Sequence, residues 1–491
     1  MAIAAPGRLG KLRAEIRIPR ATPRVIEVLS IAMVALTIVT FITSFMAISR
    51  TGDAVSQIGH VTKPSVVVAQ KLSVALADMD AAITNSSLGS RSSWWRYTAD
   101  ADTVVAMSVE ASRNLDTGDA GSLRNVLAKL RNYYQFVGAA NALATENDGD
   151  QKLPLTMTLW ASHSLRQDVI PQTEAMAKNA NAALEAAYDT YRGTARASII
   201  RAAITAGLLW ALLIGAQIFL ALRTHRLVNV PLALGTVLLT VFTIGFLVVS
   251  FADMRTLQAA KEDSFGSIQH LYRAKVVSFL MKADESMWLF EQRKARADYA
   301  QSFADGSRTV LDIGNASQLA LADADRLAVP VNQAAIEQLK SALADAERYA
   351  AAGNYDAAAR LTPKNIPGYL GEALNHVVLH PVERKPVTAA VSYFLRHIDI
   401  DMRLRALEAS GHHAEAVRLC IGDNDGGSNW AFQGMNAAID EIISLNEAQF
   451  ETEIDTAGRH VILLIQTLTG ALLGVFLFGG WGLWLRYAEY R

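Results

Sequence analysis

A single cysteine, Cys420, stands in 491 residues, so no disulfide can form within the chain and any fold outside a membrane must hold by packing alone. A lone thiol of this kind reads as a small buried apolar residue. Prolines number only 12 and cluster between helical stretches. No strand-like alternation of apolar and polar residues is sustained, which argues against a sheet. Neither sign of charge is in excess: the net charge is −1, and the electrostatic footprint of a nucleic-acid partner is absent. Catalytic signatures are missing too. There is no HExxH, GxSxG or phosphate-loop pattern, so no catalytic, cofactor-binding or metal-ligating residues are expected and the chain reads as non-enzymatic. His376 and His380 are four apart, but zinc needs three or four converging ligands. The run 421–430 carries Asp423, Asn424, Asp425 and Gly427 without the full spacing or closing glutamate of a calcium loop, and reads as a turn.

What the chain does have is four long apolar runs, at 25–48, 202–221, 230–251 and 461–485, each near the length that spans a bilayer. The first is longer than a signal-peptide core and reads as a retained anchor. Trp481 and Trp484 close the fourth, where headgroup level suits an amphipathic ring. Basic residues crowd residues 1–24, return in 222–229 and recur in the tail 486–491, so these three segments are expected in the cytoplasm, with both termini inside. Arg13, Arg17, Arg20, Arg223 and Arg226 are candidate cytoplasmic contacts. All three segments are too short for an effector domain, so a signal must pass to a separate protein.

Segments 49–201 and 252–460 then lie outside. Both are rich in alanine and read as helix, giving an all-α membrane protein with four transmembrane helices and two extracytoplasmic helical-bundle domains. The first reads as a four-helix bundle, with helices near 51–88, 92–115, 122–146 and 172–201. The second is more elaborate, with helices near 252–304, 318–328, 332–352, 354–361, 385–410, 412–420 and 430–460. The halves share a plan: each outer segment opens on Arg–Thr (Arg50 and Thr51; Arg255 and Thr256) and reaches an acidic pair some 30 residues on, Asp78 with Asp80 and Asp284 with Glu285. Two similar phrases, AAGNYDAAARL at 351–361 and ASGHHAEAVRL at 409–419, place a glycine at a helix end. Loops at 86–93, 146–171, 304–315 and 421–429 are expected at the ends far from the membrane.

Near two of those loops lie Trp94, Trp95, Arg96 and Tyr97, and Trp160 with Arg166. Tryptophan, tyrosine and arginine dominate interface hot spots, so these residues, with Asp423, Asp425 and Trp430, are candidates for a partner-binding tip; the alternative is that the aromatics cap the bundle's own core. In the fourth span Gly470 and Gly474 form a GxxxG pair, which permits close helix approach. The spans hold few ionisable groups beyond Glu27, which weakens a transport reading.

The order of span, tall helical domain and span resembles the extracytoplasmic helical-bundle sensors. The whole architecture, with the stretch TPRVIEVLSIAMVALTIVTF at 22–41, is similar to the GlnX-type actinobacterial four-pass membrane sensors. That resemblance implies two partners: an extracytoplasmic amino-acid-binding lipoprotein of the GlnH type, and a cytosolic serine/threonine kinase of the PknG type. It carries over no functional residue. The expected function is therefore a transmembrane sensor, with an envelope scaffold or a transport component as alternatives, and homo-oligomerisation left open.

Overall fold

The structure is a computed structural model that describes residues 22–114, 117–146, 152–224, 229–290, 293–312, 333–353, 357, 358, 360, 366–376 and 381–488. No strand occurs among them. The helices are α1 (Thr22–Ser56), α2 (Lys63–Ser87), α3 (Arg91–Asn114), α4 (Thr117–Glu146), α5 (Lys152–Ser164), α6 (Ile170–Thr224) and α7 (Val230–Ala259). They continue as α8 (Gly266–Phe290), α9 (Arg293–Val310), α10 (Gln333–Ala351), α11 (Tyr369–His376), α12 (Arg384–Ala409), α13 (His413–Cys420) and α14 (Ser428–Ala488). Four helical runs, Pro23–Ser87, Lys152–Arg223, Val230–Phe290 and Ser428–Ala488, are long and apolar enough to cross a membrane.

Three departures from the sequence expectation have local causes. Residues 146–171, expected as a loop, contain α5 and a π-helical turn, Leu165–Val169, that leads straight into α6. Pro154 sits in the first turn of α5, where its missing N–H has no partner to lose. Pro171 stands two residues past the π turn, whose wider ring absorbs the hydrogen bond that proline cannot make. The same device joins α1 to α2, where the π turn Gln57–Thr62 precedes Pro64. Secondly, the helix expected over 252–304 is divided: α8 ends at Phe290, α9 starts at Arg293 and packs back along α8, burying Trp288 and Leu289 with Ala300. Gly306 faces Met281 so closely that a Cβ there would strike its side chain. Thirdly, residues 304–310, read as loop, therefore belong to α9, and α11 is a helix that the sequence reading omitted. The expected helices at 318–328 and most of 354–361 lie outside the described residues. Gly353 and Gly411 do end their helices, at φ +77° and +81°. At the second, His412 N–H reaches Leu407 O at 2.9 Å and Gly411 N–H reaches Glu408 O at 3.1 Å, a Schellman closure.

The chain forms two compact bodies. The span body combines Met1–Val55, Tyr188–Thr256 and Thr456–Arg491. Its core joins Met33 and Ile48 of α1, Leu209 and Leu213 of α6, Leu239 and Phe246 of α7, and Leu468 and Val475 of α14. Polar pairs tie neighbouring helices: Thr43 with Thr205 at 2.8 Å, Gln217 to Thr236 at 2.7 Å, and Asn229 to the carbonyl of Gly482 at 2.8 Å. Apolar side chains such as Ile31, Val241 and Leu473 face outward, as lipid-facing positions require.

The helical body combines Ser56–Ala187 and Leu257–Asp455, so the two segments read from the sequence as separate bundles share one core. Helices α2 and α8, the counterparts in the duplicated plan, pack on each other at its centre and are buried on nearly every side.

Candidate functional site

The buried centre of the helical body is ionic. Arg166, in the π turn before α6, donates from Nε to Asp80 at 2.7 Å and from Nη1 to Asp284, and its Nη2 reaches the carbonyl of Leu280 at 3.2 Å. Asp80 lies on α2 and Asp284 on α8, so one guanidinium joins an acid from each half. Burial pushes the Arg166 group down, and Asp284 and Asp80 more than offset this to keep it charged. Burial pushes the Asp284 carboxyl up, and Arg166 opposes the rise. The guanidinium's planar fork suits this shared, charge-assisted contact.

A second cluster adjoins it in sequence. Lys282 donates to Glu285 at 2.5 Å, to the Cys420 carbonyl at 2.9 Å and to Ser428 Oγ at 2.9 Å. Ser428, at the start of α14, donates to Glu285 at 2.7 Å. His397 Nε2 of α12 stands 3.6 Å from Glu285. Burial works to raise the Glu285 carboxyl, but Lys282 and His397 hold it well below the ordinary range. Burial pushes the Cys420 thiol up to about 12, so at neutral pH it is an uncharged thiol inside the core, and Glu285 is the anion facing Lys282. Nearby, Asn85 at the end of α2 donates to Ser93 at 2.8 Å and to Asn429 at 2.9 Å.

The tip candidates divide by exposure. Trp95 is 72% exposed and Trp160 is 60% exposed, so both present indole to solvent, with Trp160 flanked by Phe136 at 6.0 Å. Trp94 is half-buried and packs on Tyr97 at 5.4 Å, which itself meets the buried Tyr133 at 6.5 Å. Arg96 turns inward: its Nε lies 3.0 Å from Asp78 Oδ1, and its guanidinium sits over the rings of Phe279 and Phe432. Arg166 is the buried bridge described above. Trp430 packs on Tyr393 at 5.3 Å under Arg396. Asp423 accepts from Ser92 at 2.7 Å and from Asn429 at 3.1 Å; it ties the turn after α13 to the first turn of α3, which Ser90 caps by accepting from Ser93 N–H at 3.3 Å. Asp425 is exposed. Two of the loops expected far from the membrane, 86–93 from the first half and 421–429 from the second, are thus joined. No group of three or more potential metal ligands occurs among the described residues.

In the span body, Gly474 faces Leu238, whose Cδ1 lies 2.8 Å from where a Cβ would sit, while Gly470 faces open space. Arg223 ends α6; Arg13, Arg17, Arg20 and Arg226, like His380, lie outside the described residues.

The ionic core was not legible in the sequence. Lys282 and Glu285 are three apart on a helix, a spacing that usually marks a solvated surface pair. The signal that could have found it is the paired acids themselves: four carboxylates on two largely buried helices need cations, and Arg166 and Lys282 were available. No curated protein and no solved structure matches the chain. Residues 54–189, which contain Asp78, Asp80, Arg96 and Arg166 but no part of the second half, match the family model described as an actinobacterial sensor domain, a similarity that supports a sensing role.

Proposed function

We propose that this chain is a non-enzymatic, signal-transducing membrane sensor. The observation that carries the reading is that all four span-bearing helical runs contribute to two buried ionic clusters joined through adjacent residues of α8: Asp80 from the first run and Arg166 from the second meet Asp284 of the third, and Ser428 from the fourth meets Glu285 of the third. Each run is helical from these clusters to its apolar stretch. A helix is stiff along its axis, so a change of packing or register at the centre is carried along all four.

The finer reading places the helical body outside the cell and both termini in the cytoplasm. A ligand-loaded amino-acid-binding lipoprotein docks on the helical body through exposed aromatic side chains such as Trp95 and Trp160. A cytosolic serine/threonine kinase receives the signal at the basic inner segments. Crosslinking in intact membranes, followed by affinity purification and mass spectrometry, tests this directly. The expected result is capture of a solute-binding lipoprotein and a kinase, with the lipoprotein reduced by Trp95→Ala and Trp160→Ala together. Capture of envelope-assembly proteins in their place overturns the relay and supports a scaffold.

A further inference from the structure

A cavity of about 290 Å³, lined by none of the residues of the two ionic clusters, opens in the helical body between α2, α6, α8 and α11. Its size is at the low end of small-molecule sites. Three charged side chains converge on it: Glu174 and Lys178, one turn apart on α6, and Arg273 on α8. None of the three forms a salt bridge within 4.0 Å among the described residues. Desolvation raises the Glu174 carboxyl, and the Arg273 charge opposes that rise, so the two act on each other across the cavity. Gln70 of α2 also lines it; this side chain is 6% exposed and its Oε1 is buried with no hydrogen-bond partner. Such an acceptor is costly when left unsatisfied. Val276 and Val277 form an apolar wall. The frame is held independently of the charges, by a hydrogen bond from Gln269 to Asn181 and by His270 against Tyr369 at 5.7 Å.

Two cations and one anion around a small, partly apolar cavity suit a ligand with a carboxylate and a cationic group. A primary ammonium can also donate an N–H to the Glu174 carboxylate, which a quaternary one cannot. We propose that this cavity binds an α-amino acid directly, its carboxylate held by Arg273 and Lys178, its ammonium facing Glu174, and its side chain against Val276 and Val277. The ligand would touch helices from both halves of the chain, α2 and α6 from one, α8 and α11 from the other. The site lies within this chain and needs no docked protein, so it goes beyond the relay.

The test is calorimetric titration of the purified full chain in nanodiscs with each of the protein amino acids and with glycine betaine. At least one amino acid is expected to bind, and Arg273→Ala and Glu174→Gln are each expected to weaken it about tenfold or more, the loss of one charge-assisted contact. Both side chains are exposed, so thermal melts of the variants should match the parent. Absence of binding by every amino acid, unchanged affinity in both variants, or betaine binding as tightly as the best amino acid overturns the proposal. The titration contains no partner protein, so its failure leaves the relay standing, and a failed crosslinking capture leaves the cavity standing.

Discussion

The guanidinium of Arg166 is shared by two carboxylates that have almost no access to water, Asp80 and Asp284. Removing one partner of a buried ionic group costs more than never having built it, because the remaining charge keeps its desolvation penalty. Arg166→Met is expected to destabilise the helical body by ~3–5 kcal/mol, seen as a lowered melting temperature of the full chain in detergent. Adding Asp80→Asn and Asp284→Asn to that variant should recover much of the loss; an unchanged melt in Arg166→Met would mean the bridge is not made. Asp100 on α3 shows the opposite imbalance. Its Oδ2 is buried without a hydrogen-bond partner. Desolvation, then the neighbouring Asp78 charge, raises its carboxyl from 3.8 to about 8, against the pull of Arg96 and Lys275. A raised acid binds its proton more tightly when folded, so its cost to stability grows as pH rises from about 4 through about 8 and is constant above. Asp100→Asn should therefore stabilise the protein, more at about pH 8 than at about pH 5, and equal gains at both would refute the shifted carboxyl.

At the scale of the element, glycine spacing in α14 shows why a motif is not yet a contact. Gly470 and Gly474 are equivalent in sequence, but Gly474 has Leu238 against it and Gly470 has nothing within 4 Å. Gly482 has less room to give: a Cβ there would lie 3.0 Å from the backbone nitrogen of Leu232, on α7, which cannot yield as the Leu238 side chain can. The expected order of damage, read from melting temperature and folded yield, is Gly482→Leu worst, Gly474→Leu next, and Gly470→Leu close to the parent. Loss of an oligomer in Gly470→Leu with the monomer intact would assign that open glycine to a second copy. The two π turns before Pro64 and Pro171 belong to the same scale. Each lets a helix that carries a span run past a proline without a break; the expected helix over 51–88 already ran through Pro64, whereas the segment ending at Pro171 was expected as a loop.

For the molecule as a whole, the duplicated plan is a statement about folding. Asp80 and Asp284 come from different halves and meet the same cation; Asn85 from one half meets Asn429 from the other. Neither half can satisfy its buried polar groups alone. Residues 1–228 and 229–491 expressed separately should therefore be degraded or protease-sensitive, and co-expression should restore a protease-resistant helical body. Independent resistance of either half would contradict the shared core.

Periodicity, apolar run length and alanine content were enough to read an all-helical protein with four spans, because those features act locally: a 20-residue apolar run needs a bilayer whatever surrounds it, and an alanine-rich amphipathic stretch is helical for reasons within itself. Helix ends marked by Gly353 and Gly411 were legible for the same reason, since only the backbone freedom of glycine suits the left-handed closure. The partners of Asp78, Asp80, Asp284 and Glu285 were not. Arg96 and Arg166 had the composition of a binding tip, and only packing turned them inward, while Trp95 and Trp160 stayed in solvent. Whether a charged side chain is surface, bridge or ligand contact depends on which helices enclose it. The sequence by itself determined the spans and the all-helical class; the tertiary structure decided that the two halves share one ionic core, because long-range electrostatic partners are chosen by proximity in space, about which spacing along a chain is silent.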